Sequence, residues 1–116
     1  MEIIEVEGRK TGKASEAEAL SARLEDSFII ACDEHAAALS SRGLADLLTR
    51  LKDGGIARLV FVVGGADGLD AAVLSRADRK IAFGPQTWPH ALVRAMLAEQ
   101  VYRAATLMAG TPYHRD

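Results

Sequence analysis

Residues 80–109 read KIAFGPQTWPHALVRAMLAEQVYRAATLMA, a short apolar strand, a crowded bend and a long helix in immediate succession. The bend from Gly84 to Pro89 holds one glycine and two prolines in six residues. Such a backbone cannot pair all its amides and carbonyls in a ladder, and the unpaired ones are left for a ligand. The strand is expected over Lys80–Phe83 and the helix from His90 to about Ala109, with Thr87 or Trp88 as N-cap and Pro89 at the first helical position. Leu92, Val93, Met96, Leu97, Val101, Ala104, Ala105 and Met108 recur at helical spacing as a broad apolar stripe, while Arg94, Glu99, Gln100 and Arg103 fall elsewhere on the surface. Glu99 and Arg103, four apart, form an intrahelical pair. The small side chains of Ala98, Ala104, Ala105 and Ala109 let another helix come close, so the stripe packs partly on its own sheet and partly on a second subunit. Gly110 ends the helix, and the tail TPYHRD cannot continue it.

Upstream, Leu59–Val63 is the most strand-like segment, and it stops at Gly64-Gly65-Ala66-Asp67-Gly68 ahead of a short helix over Leu69–Ser75. A glycine turn between strand and helix suggests a ligand loop at the carboxyl end of a parallel strand. It lacks the spacing of a dinucleotide fingerprint and the Gly-Lys-Ser/Thr of a phosphate loop, which disfavours a nucleoside triphosphate. Phe28–Cys32 is a continuous apolar run, the kind found in a strand covered on both faces. Asp33, Glu34 and His35 follow it consecutively rather than at converging spacings, so they read as a polar loop and no metal site is assigned. A helix from Ser40 or Ser41 to about Asp53 carries Leu44, Leu47, Leu48 and Leu51 on one face and stops at Gly54-Gly55. At the amino end, Glu2–Glu7 alternates as a half-exposed strand, and Ser15 with Glu18 makes a capping box for a helix edged by Ala17, Leu20 and Leu24. Between them, Arg9, Lys10 and Lys13 sit on a glycine-flanked loop that reads either as a phosphate contact or as a solvated surface loop. Strands alternating with helices predict an α/β layered fold with a mostly parallel sheet.

With 116 residues, 49% of them apolar, the chain buries one core and is read as a single domain, 1–116. A net charge of −2 is not that of a generally basic nucleic-acid binder, so any RNA contact needs a local patch. One cysteine, Cys32, excludes a disulfide framework within the chain and suits a reducing cytoplasm; alone it reads as a small core hydrophobe. No signal-peptide pattern or long apolar run is present, so neither secretion nor a membrane partner is expected.

Four blocks, VVGGADGL at 62–69, TWPHALVR at 87–94, AEQVYRA at 98–104 and PYHR at 112–115, closely resemble the RlmH family in order and spacing. Those proteins are SPOUT-type methyltransferases of a pseudouridine in large-subunit ribosomal RNA. The resemblance covers nearly all of this chain, but the first strand and helix that such proteins usually carry are absent, so the domain is read as N-terminally shortened. It implies a last helix threaded through a preceding loop as a trefoil knot, an exception to the no-knot rule. It implies a homodimer with each pocket near the partner's surface, and a ribosomal RNA or ribosome substrate rather than DNA. S-adenosyl-L-methionine is the implied cofactor, lying against backbone at Cys32, Gly64, Gly65 and the bend Gly84, Pro85, Gln86, Thr87, Trp88 and Pro89. Trp88 would wall the adenosyl group where family members more often carry Leu. Tyr113, His114 and Arg115 are the implied catalytic residues, presented to the partner's pocket, with His90 a weaker candidate at the helix start. Arg94 touches either RNA or a backbone carbonyl. The alternative reading is a shortened, non-catalytic relative that binds RNA or cofactor only.

Overall fold

A computed structural model describes residues 2–6, 26–64, 69, 71–84, 86 and 88–110, and for residues 2–6, 72 and 90 the backbone alone. Its elements are β1 (Glu2–Val6), β2 (Phe28–Cys32), α1 (Ser41–Asp53), β3 (Leu59–Gly64), α2 (Ala71–Arg76), β4 (Arg79–Ile81) and α3 (His90–Ala109). The expected helix after Ser15, the basic loop with Arg9, Lys10 and Lys13, and the tail lie outside the described residues. So do residues 65–68, 70, 85 and 87, and with them the loop segments on which the expected threading turns.

The strands lie in the order β1-β3-β2-β4, each neighbouring pair parallel. The two most apolar strands are therefore interior, and Ile29, Ile30, Ala31, Val60, Phe61, Val62 and Val63 are all 0–1% exposed. From β2 the chain crosses one place toward β1 through α1. From β3 it crosses two places the other way through α2. Right-handed crossovers travelling in opposite directions put their helices on opposite faces. Side-chain alternation follows that division. Ile30, Phe61, Val63 and Ile81 pack with α1 and α3, and Ile29, Val60 and Val62 pack with Val73 of α2.

α1 follows its sequence closely. Ser40 is extended and its hydroxyl accepts the Gly43 amide at 2.9 Å. Leu44, Leu47 and Leu48 are buried, Leu51 packs beside them, and Gly54 closes the helix through the Arg50 carbonyl. α2 starts and ends slightly later than expected, at Ala71 and Arg76, with Leu69 already packed on the sheet. β4 is shorter than expected. It forms a ladder only over Arg79–Ile81, and Ala82 keeps a single bridge to Ala38, because the chain leaving β2 lies there in place of a full strand.

α3 departs from the sequence reading in three places. Its N-cap is Pro89 at ψ 139, not Thr87 or Trp88, and the Pro89 carbonyl still accepts the first helical amide from Val93 at 3.0 Å. The proline ring fixes φ at a value shared by helix and extended backbone, so its ψ was not decided by residue type. Next, the apolar stripe divides. Leu97 and Ala104 are fully buried, with Val93, Val101 and Leu107 packed beside them. Leu92, Ala98, Ala105, Met108 and Ala109 face outward. Burying a leucine such as Leu97 contributes about 1.5–3 kcal/mol, so the inner row is what holds α3 on the sheet. Last, Glu99, Gln100 and Arg103 are half-buried rather than solvated. The Ser41 hydroxyl at the start of α1 donates to Gln100 Oε1 at 2.6 Å, Gln100 Nε2 donates to Glu99 Oε2 at 3.0 Å, and Arg103 pairs with Glu99 Oε1 at 2.6 Å. The expected helix pair exists, and it ends a polar chain fastening α3 to α1.

Candidate functional site

Parallel strands bring all their carboxyl ends to one edge. β2 leads to α1 on one face of the sheet and its neighbour β3 leads to α2 on the other, so these two adjacent strand ends, at Cys32 and Gly64, form the switch point where open parallel sheets take ligands. Register places Cys32 between Val63 and Ile81, and Gly64 opposite Val6. The segment leaving β2 stays at this edge. The Asp33 amide donates to the Ile81 carbonyl at 2.9 Å and the Ala82 amide to the Ala37 carbonyl at 3.2 Å. The Asp33 side chain accepts the His35 amide at 3.3 Å, a local turn, which agrees with the polar-loop reading. Nothing local in the sequence signals the strap formed by residues 33–38, because its partners lie over forty residues away.

The bend continues from β4 at the same edge. Phe83 packs against the α1–α3 side of the core, and Gly84 turns the chain at φ +91, where an L side chain is strained. A Cβ added at Gly84 would meet no heavy atom of the described residues within 4 Å, so open space lies beside this backbone among them. Half-buried Trp88 donates its indole Nε1–H to the Phe83 carbonyl at 2.9 Å, while Gln86 and Pro89 are exposed. The polar end of the Trp88 ring is thus committed to the bend, a role that residue type alone did not reveal.

Of the site residues expected from the sequence, Cys32, Gly64 and Gly84 are brought to one edge, with Trp88 tied to the bend there. Gly65, Pro85, Thr87, Arg9, Lys10, Lys13, Tyr113, His114 and Arg115 lie outside the described residues. Arg94 is exposed on α3, and only the backbone of His90 is described.

Burial pushes the Cys32 thiol up from 9.0 to about 12. A neutral thiol is a poor nucleophile, so this environment does not activate Cys32 for attack. The shift also has a stability consequence. The folded chain holds this proton to a higher pH than the unfolded chain, so the contribution is complete below pH 9 and is lost as pH rises toward 12. We expect Cys32→Ala to abolish a stability loss on the order of 1 kcal/mol between pH 8 and pH 10, read from urea midpoints at those two pH values. Equal slopes in both proteins would place the thiol in solvent.

Comparison with known proteins extends the picture along the chain. A family model described as "Predicted SPOUT methyltransferase" matches residues 1–114. A protein of Phenylobacterium zucineum (strain HLK1) named Ribosomal RNA large subunit methyltransferase H is 64% identical over all 116 residues, which span 75% of its length. Proteins of the same name from Caulobacter sp. (strain K31) and Caulobacter vibrioides (strain ATCC 19089 / CIP 103742 / CB 15) are 63% and 60% identical, with the same coverage.

Proposed function

The chain belongs to the SPOUT methyltransferase family, and from that premise we propose that it methylates N3 of a pseudouridine in 23S ribosomal RNA, using S-adenosyl-L-methionine. The observation that carries the reading is identity of 60–64% along the entire chain to relatives named for methylation of large-subunit ribosomal RNA.

The cradle suits this cofactor. An adenosyl sulfonium is a compact cation, and it needs a slot with backbone partners and no opposing positive charge. Gly64 has no side chain to place at its strand end, open space flanks Gly84 among the described residues, and the Cys32 thiol is neutral. Gly65, Pro85, Gln86, Thr87, Trp88 and Pro89 complete the proposed cradle. When bound, the cofactor supplies a methyl group that leaves with its C–S electron pair retained by sulfur, so no covalent enzyme intermediate is needed. The work left to the protein is to hold the acceptor nitrogen in line.

N3 of a uracil-type ring carries a proton that must depart as the new N–C bond forms. Arg115 is assigned to the negative charge developing on the ring, and Tyr113 and His114 to orienting or stacking the base. Arg9, Lys10, Lys13 and Arg94 are assigned to the RNA backbone.

The active unit in this proposal is a homodimer in the cytoplasm. Ala91, Ala95, Ala98, Tyr102, Ala105 and Ala109 are exposed on α3 at alternating spacings of four and three, flanked by Leu92 at 43% and Met108 at 39% exposure. Five of these six residues are alanines, whose small side chains let a second helix come close, and Tyr102, 58% exposed, offers a large surface to cover. No described helix is long and apolar enough to cross a membrane.

Titration calorimetry with S-adenosyl-L-methionine and methyl incorporation into ribosomes and free ribosomal RNA test the reading. Binding and incorporation are expected. Absence of binding would remove the cofactor, and binding without incorporation would identify a non-catalytic relative.

A further inference from the structure

We infer that Trp88 is a positioning residue: its indole N–H clasps the Phe83 carbonyl and fixes the bend before any ligand arrives. The inference rests on the cofactor reading above and gives Trp88 a task distinct from walling the adenosyl group.

The bend is held at both ends. Phe83 is seated in the core shared by β4, α1 and α3, and Trp88 adjoins Pro89, whose carbonyl starts the helical ladder. Between them Gly84 sits at φ +91, a conformation that a free glycine leaves readily. Among the described residues, nothing within 4 Å of the Gly84 Cβ position would hold that conformation by contact. A hydrogen bond of 2.9 Å joins the two ends of the bend and closes the loop between them. Closing a loop in the free protein removes an ordering cost that ligand binding would otherwise bear. A leucine at position 88 has no donor and cannot make this clasp.

Two variants of the full chain separate the donor from the ring. Trp88→Phe keeps an aromatic ring, and replacement of this single tryptophan by β-(3-benzothienyl)alanine keeps nearly the whole shape while deleting the N–H. Both are expected to bind S-adenosylhomocysteine about ten-fold more weakly than the parent by calorimetry. In methyl transfer, most of the loss is expected in KM for the cofactor rather than in kcat, with thermal midpoints close to the parent's. In the parent without ligand, the one indole N–H resonance should exchange slowly with solvent.

Parent-like affinity in both variants overturns the proposal, as does a loss in the phenylalanine variant that the benzothienyl side chain restores. Fast exchange of the indole proton in the free parent also overturns it, because the bend is then open. If the parent itself fails to bind S-adenosylhomocysteine, the cofactor reading falls first and takes this inference with it.

Discussion

Ala98→Glu is expected to turn a dimer into monomers and to reduce methyl transfer by about 10²-fold or more, the scale expected when a site loses groups that stabilise its transition state. Ala98 is exposed at the centre of the seam that runs from Ala91 to Ala109 on the outer side of α3, so the protomer tolerates a longer side chain there. An interface between two copies related by a two-fold axis repeats every change. Each dimer would have to bury two carboxylates against the alanines and Tyr102 of the seam, and each costs several kcal/mol when no cation meets it. Light scattering after gel filtration should report a monomer at micromolar concentration with an unchanged circular dichroism spectrum. Lys52→Glu, on an exposed position of α1, is the control that keeps the dimer. A dimeric Ala98→Glu protein would move the interface off α3.

That test bears on what residue patterns can and cannot tell. β2, β3 and α1 were legible because each satisfies a local rule: Phe28–Cys32 and Leu59–Val63 are apolar on both faces, and Ser40 caps a row of leucines. The placement of β3 between β1 and β2 was not legible, since it depends on the direction of the crossovers rather than on any one strand. The division of the α3 stripe was hidden for a different reason. Alanine is small enough for either environment, so Ala104 inside and Ala105 outside look alike in sequence. The half-buried Gln100 needed Ser41, 59 residues distant, to explain it.

At the site, the glycines told more than the larger residues. Gly84 stands out in sequence within a crowded bend, and it adopts positive φ, a region that only glycine enters freely. Trp88 was read by the bulk of its ring, whereas its single donor is what binds it to Phe83. Cys32 ends its strand as the apolar run predicts, and its neutral thiol follows from burial, which only the packed sheet supplies.

Removal of Tyr113 to Asp116 is expected to lower methyl transfer by about 10²–10³-fold, the scale set by loss of a group that stabilises developing charge. Affinity for S-adenosylhomocysteine should stay within about three-fold, since the proposed cradle is built from the strand ends and the bend, which the truncation leaves intact. Arg115→Ala alone should account for much of the loss, and Tyr113→Phe for less. A tail-less protein with full activity would take these residues out of the chemistry. The same truncation also asks whose pocket the tail serves. Gly84→Val forces a β-branched residue to φ near +91 and should disable the cradle of its own protomer. If each tail acts in the partner's pocket, a mixed dimer of one tail-less and one Gly84→Val chain retains one complete site. Random reassortment of the two inactive proteins then restores about a quarter of parental activity, because half the dimers are mixed and each has one working site of two. If the tail folds back on its own cradle, no pairing contains a complete site, and mixing recovers nothing.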